Sequence, residues 1–271
     1  MDSNNIVVMK IGGSVITQKS RDRLVIRQKL LRDISRQIRQ ALDNRQHGLV
    51  LIHGAGSQGH HLALSYGLKN GTRRSARKLT GARVSTLVDQ QLSMTMTDIL
   101  TESELPVVPL HPSSLVYGKN GNIDSVFMDP ICKALELGQI PMLHGDMMYD
   151  AKLGMSICSG DVLAAKLAKA LRSSRILFAT DTDGLYDRDP FQYSDATLIP
   201  KIRREEVLRS LITLGQSHHK DATEGMRGKV RSVLKVKNPR LKEVQIFNGT
   251  KARNYFLALS GRKFRSTRIL S

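Results

Sequence analysis

Leu49-Val50-Leu51-Ile52-His53-Gly54-Ala55-Gly56-Ser57-Gln58-Gly59-His60 passes from an unbroken apolar run into three closely spaced glycines and then into a segment of helical composition. A run apolar at nearly every position suits a strand buried on both faces, the environment of a parallel sheet. Glycines directly after such a strand let the backbone turn sharply and approach a ligand closely. A helix beginning there offers free amides and the positive end of its dipole to an anion. Strand, glycine turn and helix in this order predict an α/β protein.

The pattern recurs on both sides of that stretch. Ile6 to Ile11 reads as a first buried strand and Leu24 to Leu42 as the helix after it; the helix following the glycines runs to about Tyr66. Arg83 to Leu100 has helical periodicity, and Pro106 to Leu110 is strand-like. Ile140 to Leu143 and Arg175 to Thr180 are short strands with a helix from Val162 to Leu171 between them. Helices over Glu205 to Leu214 and Met226 to Val236, a strand over Val244 to Phe247 and a closing helix complete the reading. Asn120-Gly121 predicts a hairpin between Val116 and Ile123, and a second spans Met147 to Met155. Short β-branched runs alternating with longer amphipathic segments signal parallel strands joined by crossover helices. With no repeat or low-complexity linker, residues 1–271 read as one domain on one continuous sheet, with halves meeting near residue 172.

The 40% hydrophobic content of the 271 residues can fill an ordinary core, which excludes a disordered or fibrous chain. Cys132 and Cys158 sit in apolar surroundings without the spacing of a metal site or disulfide framework, and read as buried core residues. No apolar run approaches the ~20 residues needed to cross a bilayer, and Met1-Asp2-Ser3-Asn4-Asn5 lacks the features of a signal peptide. These features place the chain in the cytoplasm. The formal charge of +18 is the compositional anomaly. No acidic residue occurs between Asp43 and Asp89, while Arg73, Arg74, Arg77, Lys78 and Arg83 crowd that stretch. Such a field suits a phosphorylated small molecule or a nucleic acid; with 4% aromatic residues the chain lacks stacking platforms for the latter.

Five stretches could carry chemistry. Lys10-Ile11-Gly12-Gly13-Ser14, with Lys19 behind it, joins a cation to paired glycines at a strand end. His53 to His60 satisfies the glycine spacing of a dinucleotide fingerprint but lacks the acidic residue ~20 positions on that would hold a ribose. His60 belongs in the first helical turn, beside any anion bound there; His53 and His61 have no evident role. Ser159-Gly160-Asp161 opens an apolar helix, with Asp161 either a functional carboxylate or an N-cap. Thr180-Asp181-Thr182-Asp183-Gly184-Leu185-Tyr186-Asp187 follows a strand, and its aspartates suit a turn or a bound cation. Asp221 to Val230 places Lys229 in the opening turn of a helix, where a lysine opposes the dipole unless an anion compensates.

Taken in this order, the five stretches resemble the amino acid kinase family over nearly the whole chain, and within it the isopentenyl phosphate kinases. Lys10 to Ser14 with Lys19 resembles the family's opening ATP-binding segment, and Thr180 to Gly184 its nucleotide-binding turn. Gly59-His60 resembles the subgroup's Gly-His, whose histidine binds the acceptor's phosphate; Tyr66-Gly67 and Pro112-Ser113-Ser114 are also similar. The resemblance implies a three-layer αβα sandwich with a mainly parallel central sheet, ATP with Mg²⁺, a homodimer, and a phosphorylated small-molecule acceptor, isopentenyl phosphate. It implies that Lys10 and Lys19 neutralise the transferring phosphoryl group, that Lys229 acts on the ATP phosphates and that Asp161 orients the lysines. Ala55, His60 and Gly160 then contact the acceptor and its phosphate. Gly12, Gly13, Ser14, Gly56, Asp181, Tyr186 and Gly225 fall on the ATP side. Ala55 stands where a third glycine is usual, Gln58 where an aromatic residue is usual, and Glu224 where a glycine precedes Gly225. Arg265-Ser266-Thr267-Arg268-Ile269 is more similar to the fosfomycin-resistance kinases, which leaves a phosphonate acceptor as an alternative.

A site rich in lysine and glycine suits phosphoryl transfer, in which a protein contributes mainly alignment and compensation of charge. A phosphate monoester, with its second pKa near ~6, is already ionised at neutral pH and needs no general base. An isoprenoid tail needs an apolar pocket, for which the Leu87 to Leu100 helix with Met94 and Met96 is a candidate. An NADP oxidoreductase leaves Lys10, Asp161, the 181 to 184 turn and Lys229 without roles.

Overall fold

The computed structural model describes residues 6–18, 23–43, 48–207, 225–234 and 238–270. Strand β1 (Ile6–Ile11) leads into the short helix α1 (Gly13–Ile16), then α2 (Gln28–Asp43), β2 (Gly48–His53), α3 (Gly56–Ser65) and α4 (Ala76–Thr101). Next come β3 (Val107–Pro109), α5 (Pro112–Leu115), β4 (Val116–Lys119), β5 (Asn122–Val126), α6 (Asp129–Glu136) and β6 (Ile140–His144). Strands β7 (Asp146–Asp150) and β8 (Gly154–Cys158) precede α7 (Gly160–Ala170) and β9 (Arg175–Thr180). After β10 (Lys201–Arg203) come a helix over Gly225–Leu234, β11 (Glu243–Asn248), a helix over Asn254–Leu259 and β12 (Thr267–Leu270).

Among the described residues, eight strands form the main sheet in the order β10-β12-β11-β9-β1-β2-β6-β3. From β11 to β3 the pairings are all parallel; β12 runs antiparallel to β11, and β10 runs with β12. The chain leaves β1 toward β2 on one side and later returns to β9 on the other. The carboxyl end of β1 is therefore the topological switch point, where open α/β sheets bind ligands.

The pleat of β1 explains the layering. Val7, Met9 and Ile11 point to one face and join Leu31, Ile34 and Ile38 of α2, Leu92 and Met96 of α4, and Tyr255 and Leu259 in one core. Val8 points to the other face and joins Val50, Ile52 and Phe178 with Leu163, Ala164, Leu167 and Ala168 of α7 in a second core. A sheet covered on both faces gives the expected αβα sandwich and accounts for the near-continuous apolar strands. Full burial of each Val, Leu or Ile side chain contributes about 1.5–3 kcal/mol.

The expectation of one continuous sheet is corrected: four strands form a second sheet, β5-β4-β7-β8. Both hairpins found in the sequence build it. Asn120 and Gly121 adopt φ of 53° and 77°, the two left-handed residues that a tight hairpin turn requires. The Asp150 carboxylate accepts hydrogen bonds from the amides of Asn120, Gly121, Lys152 and Leu153 and from Ser156 Oγ, fastening both hairpin turns to one another. Burial raises the Asp150 acid, but those donors outweigh it and bring its pKa down to about 2.

Other boundaries shift for local reasons. Helix α4 begins at Ala76, seven residues before the expected Arg83, because Ser75 accepts a hydrogen bond from Lys78 N and caps it. The expected closing helix ends at Leu259 and is followed by β12, too short to read as a strand beside its arginines. Most of the helix expected over Glu205 to Leu214 lies outside the described residues. Cys158 is buried as expected, whereas Cys132 is only half-buried on α6.

Candidate active site

Alternation along β1 places Lys10 on the face shared with Val8, above α7. Its Nζ lies 2.9 Å from Asp161 Oδ1, with the two side chains 10% and 7% exposed. Asp161 stands in the first turn of α7, where the helix dipole favours a carboxylate. Ser159 is the N-cap of α7 and makes no side-chain capping bond. Asp161 is thus the partner of the strand-end lysine, and it is Ser159 that occupies the N-cap position.

The glycine loops meet backbone to backbone. A Cβ on Gly13 would lie 2.5 Å from Gly56 N and 2.7 Å from Gly56 Cα, and one on Gly54 only 2.6 Å from Gly13 N. Gly56 itself has φ of +73°, a conformation that L side chains rarely adopt. Only glycine allows the first and second loops this close. Gly12 N donates to Ala179 O at 2.8 Å, and Gly54 N to Ile11 O at 2.9 Å, so β9, β1 and β2 end together.

One cavity opens at these strand ends. Its lining includes Lys10, Gly54, Ala55, His60, Gly160 and Asp161. The structure thereby brings together both ends of the predicted acceptor side, although His60 is 50 residues from Lys10 and Asp161 a further 101. The starts of α3 and α7 both face it; neither N-cap residue, Ala55 or Ser159, makes a side-chain capping bond, and Thr17 Oγ1 accepts from Ser57 N in the first turn of α3. Two helix starts beside a lysine offer free amides and the positive ends of two dipoles to an anion.

On the other flank of β1, the turn after β9 runs beside the Gly12 loop. Asp183 is 7% exposed and pairs with Lys251 Nζ and Arg265 Nε, both at 2.7 Å. Burial raises its acid, but the two cations outweigh that and hold it below the usual carboxylate range. Leu185 N donates to Thr267 Oγ1, which donates to Ile199 O. The stretch Arg265 to Ile269 therefore fastens this turn, away from the cavity that Lys10 and His60 line. Asp181 and Ser14 are exposed, and Tyr186 is half-buried in a bridge with Leu198. The helix Gly225–Leu234, which carries Gly225 and Lys229, packs against α7. The Lys229 side chain and all of Lys19 lie outside the described residues.

The apolar-tail candidate is corrected. Leu87 and Met94 are exposed, and Met96 packs in the core beneath the main sheet; none lines the cavity. Its apolar lining comes instead from Ala63, Met147 and Ile157, and α4 contributes Ser85 and Asp89. The sequence reading missed these two and Asp146, which accepts from Thr86 Oγ1 at 2.8 Å and Ser113 N at 3.1 Å. The available signal was a polar pair at i, i+4 in the stripe that continues as Leu92, Met96 and Leu100.

His53, read as having no role, belongs to a buried imidazole chain behind the cavity. Its Nδ1 faces Gly54 O at 3.0 Å, and His144 Nδ1 faces Gly145 O at 3.0 Å. Carbonyls only accept, so both Nδ1 atoms carry the proton. His144 Nε2 is then the acceptor for His111 Nδ1, 3.0 Å away. Burial, then His144 and Lys10, lower the His53 pKa to about 3, so its ring is neutral.

The model of the amino acid kinase family matches residues 5–248. The isopentenyl phosphate kinase of Methanothermobacter thermautotrophicus is 31% identical over 97% of this chain and 98% of its own length. That of Methanocaldococcus jannaschii is 31% identical over 94% and 95%. A solved structure described as an isopentenyl phosphate kinase superposes with a TM-score of 0.84 at 29% identity, covering 98% of this chain and all of that one.

Proposed function

The chain belongs to the amino acid kinase family, and we propose that it transfers the γ-phosphoryl group of ATP to the phosphate of isopentenyl phosphate, giving isopentenyl diphosphate and ADP. The observation that carries this reading is the single cavity in which Lys10, Asp161 and His60 stand among glycine loops. The names of the full-length relatives agree with it.

An oxygen of the acceptor phosphate attacks the γ-phosphorus while the bond to the β–γ bridging oxygen breaks and ADP leaves. The attacking oxygen is already ionised at neutral pH, so no residue need remove a proton. His60 holds the acceptor phosphate, assisted by the start of α3 and the backbone of Ala55 and Gly160. Lys10, aimed by Asp161, neutralises the charge that spreads over the transferring group. Lys19 and Lys229 complete that compensation from the nucleotide side, where Gly12, Gly13, Ser14, Gly56, Asp181, Tyr186 and Gly225 contact ATP. Mg²⁺ bound to ATP would add to the compensation of the triphosphate's charge. The acceptor-binding half reaches about residue 172 and the nucleotide half follows. The reading extends to a cytoplasmic homodimer serving isoprenoid synthesis.

Coupled ADP release with isopentenyl phosphate, dimethylallyl phosphate, fosfomycin and acetylglutamate tests this. Isopentenyl phosphate should be turned over faster than fosfomycin and acetylglutamate, and no ADP release with any acceptor would overturn the kinase reading. His60→Ala should lower kcat/KM for the acceptor by about 100-fold or more while ATP still binds; normal turnover in that variant would remove His60 from the site.

A further inference from the structure

Asp89 is the feature that an alkyl acceptor leaves unexplained. It lies on α4 with 1% exposure, lines the cavity shared by Lys10 and His60, and its Oδ1 has no hydrogen-bond partner among the described residues. That oxygen sits 2.8 Å from where a Cβ would stand on Gly59, directly under the helix turn that presents His60. One turn earlier on the same face, Ser85 is 4% exposed and lines the same cavity. The rest of the lining on that side, Ala63, Met147 and Ile157, belongs to or packs against a small apolar cluster. Ser85 and Asp89 thus form a buried polar pair in this part of the cavity wall.

A buried polar atom without a partner costs about 1–3 kcal/mol, and such atoms need a reason. A hydrocarbon chain packed against Asp89 keeps that cost. A hydroxyl group gives the buried carboxyl a partner from the cavity, donating to it or accepting from its protonated form. Burial, and then the Asp146 carboxylate, push the Asp89 acid well above the usual carboxylate range, so it can face a phosphorylated ligand without adding a negative charge.

Resting on the reading of this chain as a kinase of phosphate monoesters, we propose that Asp89, with Ser85, selects acceptors whose carbon chain carries a hydroxyl group. Asp89 acts on specificity: it touches the chain of the acceptor and takes no part in the transfer, so Lys10, His60 and ATP keep their roles. Isopentenyl phosphate is then a substrate that fits by shape but leaves the carboxyl unpaired. A hydroxylated five-carbon phosphate fits by shape and pairs it.

The test compares isopentenyl phosphate with its hydrate, the tertiary alcohol formed by adding water across the double bond. Measuring kcat/KM for both by ADP release, the wild-type enzyme should prefer the hydrate by about tenfold or more. Asp89→Leu should erase or reverse that preference, lowering the hydrate's kcat/KM while holding or raising that of isopentenyl phosphate, with the KM for ATP unchanged. Asp89→Asn, whose amide still bonds a hydroxyl, should keep the preference. A wild-type ratio of one or less overturns the proposal and needs no variant to fold. An equal fall for both acceptors in Asp89→Leu also overturns it, since that is the signature of a merely structural residue. Either result leaves the kinase reading intact if isopentenyl phosphate is turned over, whereas absence of ADP with both acceptors overturns the two together.

Discussion

Removing Asp161 should unsettle the protein through the lysine it leaves behind. In Asp161→Ala the Lys10 ammonium, 10% exposed at the end of a central strand, loses a carboxylate 2.9 Å away. Breaking one half of a buried pair costs about 3–5 kcal/mol, because the remaining charge stays desolvated. For a chain of this size each kcal/mol moves the melting temperature by about 2–4 °C, so the variant should melt roughly 6–20 °C below the parent. Replacing both charges, as Lys10→Met with Asp161→Leu, removes the stranded ammonium and should return stability to within about 1 kcal/mol of the parent. Neither the single nor the double variant should transfer phosphate. Pyrophosphate or a non-hydrolysable ATP analogue should raise the melting temperature of Asp161→Ala, since an anion can replace the lost carboxylate, and should do little for the double variant. Thermal melts followed by circular dichroism, with and without the anion, check all of this. A shift below about 1 kcal/mol in Asp161→Ala, or a double variant as unstable as the single, would refute the picture of a desolvated pair held for its chemistry.

Two further outcomes follow from the geometry. Gly13→Ala forces a methyl to 2.5 Å from Gly56 N, backbone that cannot swing aside. The two glycine loops must part, and misplacement of this size should lower kcat/KM by about 100-fold with a smaller loss of stability; steady-state kinetics within about threefold of the parent would contradict that contact. His53, with its pKa lowered from 6.5 to about 3, binds its proton more tightly in the unfolded chain than in the folded one. Its contribution to stability is full above the unfolded value and declines as pH falls toward the folded one, with a slope of up to ~1.4 kcal/mol per pH unit. Urea unfolding between about pH 7 and about pH 4 should show that slope in the parent and a flatter one in His53→Leu.

The parallel strands were legible because their environment is uniform: buried on both faces, Val7 to Met9 and Leu49 to Ile52 could only be apolar. The glycine loops were legible for a related reason, since at Gly13 and Gly54 any side chain collides with backbone, and Gly56 holds a left-handed φ of +73°. Asp161 stands in a first turn as expected, whereas His60, expected in one, is the fifth residue of α3 and still lines the cavity. The second sheet was not legible, because pairing between two hairpins depends on Asp150 collecting donors from both turns. Asp89 was hidden for the opposite reason: an acid in a long helix ordinarily faces water, and the placement of α3 over α4 covers it. The tail pocket was misassigned because Met94 and Met96 share a helix with Ser85 and Asp89 but point elsewhere around its circumference.

The pleat of β1 has a consequence for how this protein can change. Odd-numbered side chains from Val7 to Ile11 build one core, and the even-numbered Val8 and Lys10 face α7. Slipping the strand by a single residue would exchange these sets, sending an isoleucine or methionine to the phosphates and an ammonium into hydrocarbon. Insertions and deletions in this segment are therefore lethal to folding and to chemistry at once. Residues on α4 are under no such double constraint, so acceptor preference can drift through point substitutions while the phosphate-handling machinery stays fixed.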